Sequence, residues 1–236
     1  MFYKSISKVY DDIFPQNKSQ LDFINNLQPI SKHEVILDIG CATGNLTDLI
    51  SKCTKNVIGI DLDSDLLKVA KSKYHKLSFI EGNMMDIDKI FTHEYFDRII
   101  SFGNTLVHLP NRNNVKSFFH RVYNTLKKDG LFIVQIINYN RIIKNGINEL
   151  PIIDNDSITF IRDYRIHNGW IDFNTKLKIK ENGEILENSI PLLPLTEEEI
   201  RNLIEITGFR NLKFYGNLKG DSLTDNSIPL LFSCIK

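Results

Sequence analysis

The chain has no surplus of either charge: 29 Lys and Arg balance 29 Asp and Glu. A protein that works on a phosphate backbone carries a basic excess, so the balance argues against nucleic acid as the partner. Cysteine is scarce, with Cys41, Cys53 and Cys234 in an odd set without framework spacing. That excludes a disulfide scaffold and predicts reduced thiols in the cytoplasm. No apolar run is long enough to span a bilayer, and Met1-Phe2-Tyr3-Lys4-Ser5-Ile6 lacks the apolar core of a secretory signal. Repeats and low-complexity segments are absent. What is present is an ordinary globular mixture, 42% apolar and 25% charged over 236 residues, enough to bury a core in one α/β domain or a domain with a sizeable insertion.

The chain is organised around Val35–Thr47, which reads as a buried strand, a glycine-bracketed turn and a helix start. Val35–Ile39 is rich in branched residues, as in a strand covered on both faces. Leu46, Leu49, Ile50 and Cys53 then recur at helical spacing. The alternation continues through strands at Val57–Asp61, Leu77–Ile80, Asp97–Phe102 and Leu131–Ile137. Between them lie a helix capped by Ser64 and one opened by Asn113 or Asn114, with Gly130 supplying a left-handed stop. Before this core, residues 18–27 predict a helix with Leu21, Ile24 and Leu27 inward. Residues 141–156 read as a connector. Residues 157–190 alternate with period two around turns at Asn168-Gly169 and Asn182-Gly183, where both residues of each pair can take positive φ, giving a three-stranded meander. Thr196 and Glu199 form a capping box before Ile200, Leu203, Ile204 and Ile206, and Phe209–Tyr215 and Ser227–Ile235 close the sheet. The expected fold is α/β: a Rossmann-like, seven-stranded, mostly parallel sheet with a C-terminal antiparallel hairpin and an inserted antiparallel β-meander. The expected organisation is an N-terminal helical segment or flap at 1–34, a cofactor-binding domain at 35–140 and 191–236, and an inserted meander at 141–190 that forms the acceptor pocket.

The loop after the first strand lies where open α/β sheets bind ligands. Gly40 and Gly44 clear side chains from it, but the spacing Gly40-Cys41-Ala42-Thr43-Gly44 lacks the middle glycine of the pyrophosphate motif G-x-G-x-x-G. Asp61 at the end of the second strand can accept hydrogen bonds from ribose hydroxyls, which indicates a nucleoside. Asp38-Ile39-Gly40-Cys41-Ala42-Thr43-Gly44 resembles motif I of the class I S-adenosylmethionine-dependent methyltransferases, D-x-G-x-G-x-G, with Ala42 at the middle glycine. Ser101-Phe102-Gly103-Asn104-Thr105-Leu106-Val107-His108-Leu109-Pro110 and Asn138-Tyr139-Asn140 resemble segments of glycine N-methyltransferase-like enzymes.

The resemblance implies a site. Asp38, Gly40, Cys41 and Gly44 would form the cofactor loop. Asp61 would hold the ribose and Leu62 would touch the nucleoside. Asn83 stands where an acid usually meets the adenine amino group, beside Met84 and Met85, one of which core packing also explains. Phe102 and Gly103 would complete the cofactor site, and Tyr3 and Tyr10 match relatives in spacing. Asn104, His108 and Tyr139 are candidates for acceptor positioning, with His108 open to the roles of base, cofactor contact or structural histidine. Ile137 replaces the arginine that anchors a glycine carboxylate, and an aliphatic side chain makes no paired charge-assisted bonds. Arg141, Arg162 or Arg165 are the available substitutes. Phe160, Tyr164, Trp170 and Phe173 line the acceptor pocket or pack as strand core. The expected activity is transfer of a methyl group from S-adenosyl-L-methionine, leaving S-adenosyl-L-homocysteine, to a nitrogen or oxygen of a small molecule other than glycine, with no metal, nucleic acid or membrane. An RNA or protein methyltransferase and a NAD-dependent oxidoreductase are the alternatives.

Overall fold

A computed structural model describes residues 6–236. Five parallel strands, β1 (Val35–Ile39), β2 (Asn56–Asp61), β3 (Ser78–Glu81), β4 (Phe96–Ser101) and β5 (Leu126–Ile137), form most of one sheet. The second sheet holds β6 (Ile153–Asp154), β7 (Ile158–His167), β8 (Trp170–Ile179) and β9 (Ile185–Leu192). The chain then returns as β10 (Arg210–Tyr215) and β11 (Pro229–Ile235). The large sheet has the order β10-β11-β5-β4-β1-β2-β3, with β11 antiparallel to both its neighbours. The helices, in chain order, are α1 (Tyr10–Ile13), α2 (Lys18–Leu27), α3 (Asn45–Ser51), α4 (Ser64–Lys73), α5 (Ile87–Ile90), α6 (Arg112–Thr125), α7 (Tyr139–Asn145) and α8 (Glu197–Thr207). Among the described residues, no helix is long and apolar enough to cross a membrane.

The core has two layers because β1 and β4 are buried on both faces. On one face, Val115, Phe118, Phe119 and Val122 of α6 and Ile200 and Ile204 of α8 pack on Leu37, Ile99 and Phe132. On the other, Leu21, Phe23 and Ile24 of α2 and Leu46, Leu49 and Ile50 of α3 pack on Ile36, Ile100 and Ile133. Arg98 is fully buried at the far end of β4. Its guanidinium pairs with Glu34 and donates to the carbonyls of Gln28 at 2.6 Å and Pro29 at 2.9 Å. This joins the α2–β1 connection to the sheet.

The capping box at Thr196 and Glu199 forms as the sequence predicts. Several local expectations are corrected. The cap of α4 is Asp63, whose carboxylate accepts from the N–H groups of Asp65 and Leu66, and Ser64 is the first helical residue. Asn111 caps α6, ahead of Asn113 and Asn114. That helix ends on extended Leu126, and the left-handed residue is Asp129. Gly130 is required for a different reason, since a Cβ there would lie 2.8 Å from the Lys127 carbonyl. At the second hairpin only Gly183 takes positive φ; at the first, both Asn168 and Gly169 do. Residues 141–156 are more than a connector, because α7 runs into them and β6 pairs with β7, making the second sheet four-stranded. Ile206 is exposed, since the buried stripe of α8 runs through Ile200, Ile204 and Thr207.

Candidate active site

The chain leaves β1 toward β2 and β3 and returns through β4 on the opposite side, so a crevice opens at the carboxyl ends of β1 and β4. The two loops meet at Gly40, which has φ +74 and whose added Cβ would lie 2.3 Å from Thr105 Oγ1. Only glycine allows both the backbone conformation and the approach. A cavity of about 320 Å³ occupies the crevice, within the usual range for small-molecule sites.

Asp61 lines the cavity. Its Oδ2 accepts the Ala42 N–H at 2.8 Å and its Oδ1 accepts the Asp63 N–H at 2.9 Å. Each carboxylate oxygen can accept a further bond, so the group is fixed in place yet able to receive a ligand hydroxyl. Burial raises its pKa, against the lowering effect of these N–H groups. Ala42 takes φ +48, the left-handed conformation expected of the glycine it replaces, which turns its N–H toward Asp61. Beside Asp61 are Leu62, which is 66% exposed, and Met84. Asn83 also lines the cavity, and its side-chain oxygen accepts the Met85 N–H at 2.9 Å. Open space stands where a Cβ at Gly103 would point. An exposed leucine and a methionine beside a fixed carboxylate suit the flat apolar face and hydroxyls of a nucleoside.

The lining also includes Tyr10 from α1, Phe102 and Gly103 from the β4 exit, His108 from the Thr105–His108 turn, and Ile190 from β9. Burial pushes the His108 pKa down to about 4, so this imidazole is neutral at physiological pH. Among the described residues lining the cavity, none is Lys or Arg.

Of the residues singled out in the sequence, Tyr10, Gly40, Asp61, Leu62, Asn83, Met84, Phe102, Gly103 and His108 line the cavity. Tyr3 lies outside the described residues. Asp38, Cys41, Gly44, Met85, Asn104 and Tyr139 stand behind the lining. Asp38 is buried and accepts from Thr47 Oγ1 at 2.6 Å; burial raises its pKa to about 7 in spite of that bond. Cys41 faces Gly59 and Phe79, and burial pushes its thiol up. Gly44 is the left-handed N-cap of α3. Asn104 joins the ends of β4 and β5: its Oδ1 accepts the Ile137 N–H at 3.0 Å, and its amide group meets the Tyr139 hydroxyl at 3.0 Å. Tyr139 is fully buried. Arg141, Arg162 and Arg165 do not reach the lining; Arg162 donates to the Pro151 carbonyl at 2.6 Å and lies over the Phe160 ring. Phe160 and Tyr164 are buried as core, while Trp170 and Phe173 are partly buried against it. Ala42, Asp63, Thr105 and Ile190 also line the cavity. Ala42 was detectable at the glycine position, whereas Ile190 comes from a distant strand and has no local signal.

Comparison with known proteins bears on this cavity. Residues 36–130, which carry β1 to β4 and their loops, match the methyltransferase domain family. The carboxy-S-adenosyl-L-methionine synthase of Campylobacter jejuni is 25% identical over 224 residues, covering 90% of this chain and 87% of that protein. An S-adenosylmethionine-dependent methyltransferase from Clostridium acetobutylicum superposes with a TM-score of 0.83 at 18% identity, covering 100% of this chain and 99% of that one. The S-adenosylmethionine-bound amino pentose methyltransferase CalS10 of Micromonospora echinaspora superposes with a TM-score of 0.74 at 13% identity, covering 96% of each chain. The structural likenesses establish the fold. The methyltransferase-domain match spans the strands that build the cavity.

Proposed function

We propose that the enzyme methylates a nitrogen of a small molecule that carries no anionic group beside the reacting atom. The observation that carries this is the ionisable lining of the cavity: Asp61 and Asp63, Tyr10 and a neutral His108, with no Lys or Arg among the described residues. Such a lining suits a cofactor of net positive charge and offers no paired anchor for an acceptor carboxylate. S-adenosylmethionine supplies, when bound, an electrophilic methyl group on its sulfonium. Asp61 would accept from the ribose hydroxyls, Leu62 and Met84 would flank the adenine, and Asn83 would meet its edge. Tyr10, Phe102 and Ile190 exclude water and align the acceptor, which is most of what an in-line displacement asks of a protein. A neutral amine needs no base in that step. A hydroxyl acceptor does, and an imidazole with a pKa of about 4 is poorly matched to that task at neutral pH. Nitrogen is therefore preferred over oxygen. The three free cysteines fit a reducing cytoplasm.

The likeness to carboxy-S-adenosyl-L-methionine synthases favours a second reading, in which the cofactor itself is carboxylated. An added carboxylate at the sulfonium end would face Tyr10, Phe102, His108 and Ile190, which supply no cation, and this ranks the reading below methyl transfer. The test is a panel of amines, amino sugars, amino acids, phenols and RNA, followed by S-adenosylhomocysteine release and mass spectrometry of both acceptor and cofactor. Methylated amines without anionic groups are expected. Turnover on RNA alone, or a carboxylated cofactor as product, would overturn the proposal.

A further inference from the structure

The geometry points to Asp11 as a positioning residue that latches Tyr10 and the segment around it over the cofactor cavity. Residues 6–16 lie between the glycine loop and the second sheet. On the sheet side the contacts are apolar: Ile6 and Ile13 are buried against Ile158, Phe160 and Leu177. Phe14 meets Phe160 edge-on, and Asn155 Nδ2 donates to the Asp12 carbonyl at 2.9 Å. On the cofactor side the contacts are polar and converge on one carboxylate. Asp11 Oδ1 accepts from Thr43 Oγ1 at 2.5 Å and from Asn45 Nδ2 at 2.9 Å, and Oδ2 pairs with Lys73 of α4. Asn45 Oδ1 in turn accepts from Lys73 Nζ at 2.8 Å and from the Tyr74 hydroxyl at 3.0 Å.

The two sides differ in how readily they part. The apolar side separates only by exposing fully buried side chains to water. The polar side exchanges its bonds for water, and the ion pair at its centre is about one-third exposed at each partner. The segment therefore hinges on the second sheet and opens at Asp11. Tyr10, which lines the cavity, is carried by the same turn. Asp11 touches neither cofactor nor acceptor; it acts through Thr43 and Asn45, which set the glycine loop, and through the placement of Tyr10.

This inference rests on the cavity being the cofactor site and is independent of the acceptor. It is tested by the rate at which radiolabelled S-adenosylhomocysteine leaves wild type, Asp11→Asn and Lys73→Gln after dilution into unlabelled cofactor. Lys73→Gln lies at the rim and leaves the core intact, and thermal melts confirm that each variant is folded. Asp11→Asn is expected to release product about tenfold faster, the scale of one lost bond to a charged group, and Lys73→Gln about two- to fivefold faster, the scale of a partly exposed ion pair. Raising salt to about 0.5 M, which screens exposed ion pairs, is expected to speed release from wild type and to leave Asp11→Asn unchanged. Folded variants that release at the wild-type rate, or an equal salt response in Asp11→Asn, would overturn the latch. Wild-type protein that does not bind S-adenosylhomocysteine would overturn the site assignment and the latch with it.

Discussion

Replacing Asp61 by Asn separates the site's two functions, holding its own loops and receiving a ligand. Both carboxylate oxygens accept backbone N–H groups, from Ala42 at 2.8 Å and from Asp63 at 2.9 Å. An asparagine amide offers one oxygen and one NH₂ group, so a donor faces a donor at one of these positions whichever way the amide turns. The loop carrying that N–H must withdraw, and the ribose loses an acceptor. A hydrogen bond to a charged group is worth about 1.5–3 kcal/mol, so affinity for S-adenosylmethionine should fall about 10- to 150-fold. Stability should respond differently. Burial already penalises the Asp61 charge, and the neutral amide relieves that penalty, offsetting the lost loop bond. Calorimetric titration with S-adenosylmethionine should therefore show a large loss of affinity, while the melting temperature of the unliganded protein stays near wild type. Unchanged affinity in a protein with an unchanged melt would refute the assignment of Asp61 as the ribose partner.

Gly40→Ala and Gly103→Ala form a matched pair, since both residues have positive φ. Each substitution should cost about 1–2 kcal/mol for the left-handed backbone, and Gly40→Ala should cost more in urea unfolding because its Cβ would strike Thr105, whereas Gly103 has nothing within 4 Å; equal losses would contradict the packing. Arg98→Ala should destabilise the fold by about 3–5 kcal/mol, the cost of leaving Glu34 and two carbonyls without their buried partner, with cofactor affinity in the folded protein unchanged by calorimetry. Asp38 bears on pH. Its folded pKa of about 7 lies above the ordinary carboxyl value of 3.8, so its contribution to stability is fully present below the unfolded value and is lost as pH rises through about 7. Asp38→Asn should accordingly gain stability over wild type between pH 4 and pH 8 in thermal melts, and a constant difference across that range would sink the assignment.

The architecture was legible where local pattern and global fold agree. The branched runs at Val35–Ile39 and Leu131–Ile137 mark strands buried on both faces, and the Thr196–Glu199 box opens α8 as its hydrogen-bonding groups require. The lining from the strand exits was legible for the same reason, since Gly40, Asp61 and Asn83 each stand at or just after the end of a recognisable strand. The lining from Tyr10 and Ile190 was less so, because it comes from distant parts of the chain. Nothing near Ile190 signals that one residue of β9 reaches a crevice between β1 and β4. Asn104 and Tyr139 are far apart in sequence, and their mutual hydrogen bond has no local signal. The strand β6 has only two residues and exists through pairing with β7, so no periodicity could mark it. The convergence of Thr43, Asn45 and Lys73 on Asp11 spans 62 residues of chain and is visible only in three dimensions.

The assignment of Asp61 as the ribose partner is tested most directly by where the nucleoside binds. A crystal structure with S-adenosylhomocysteine should place both ribose hydroxyls within hydrogen-bond distance of the Asp61 carboxylate, the adenine between Leu62 and Met84, and the sulfur toward Tyr10 and His108. A nucleoside bound elsewhere, or a ribose turned away from Asp61, would contradict it.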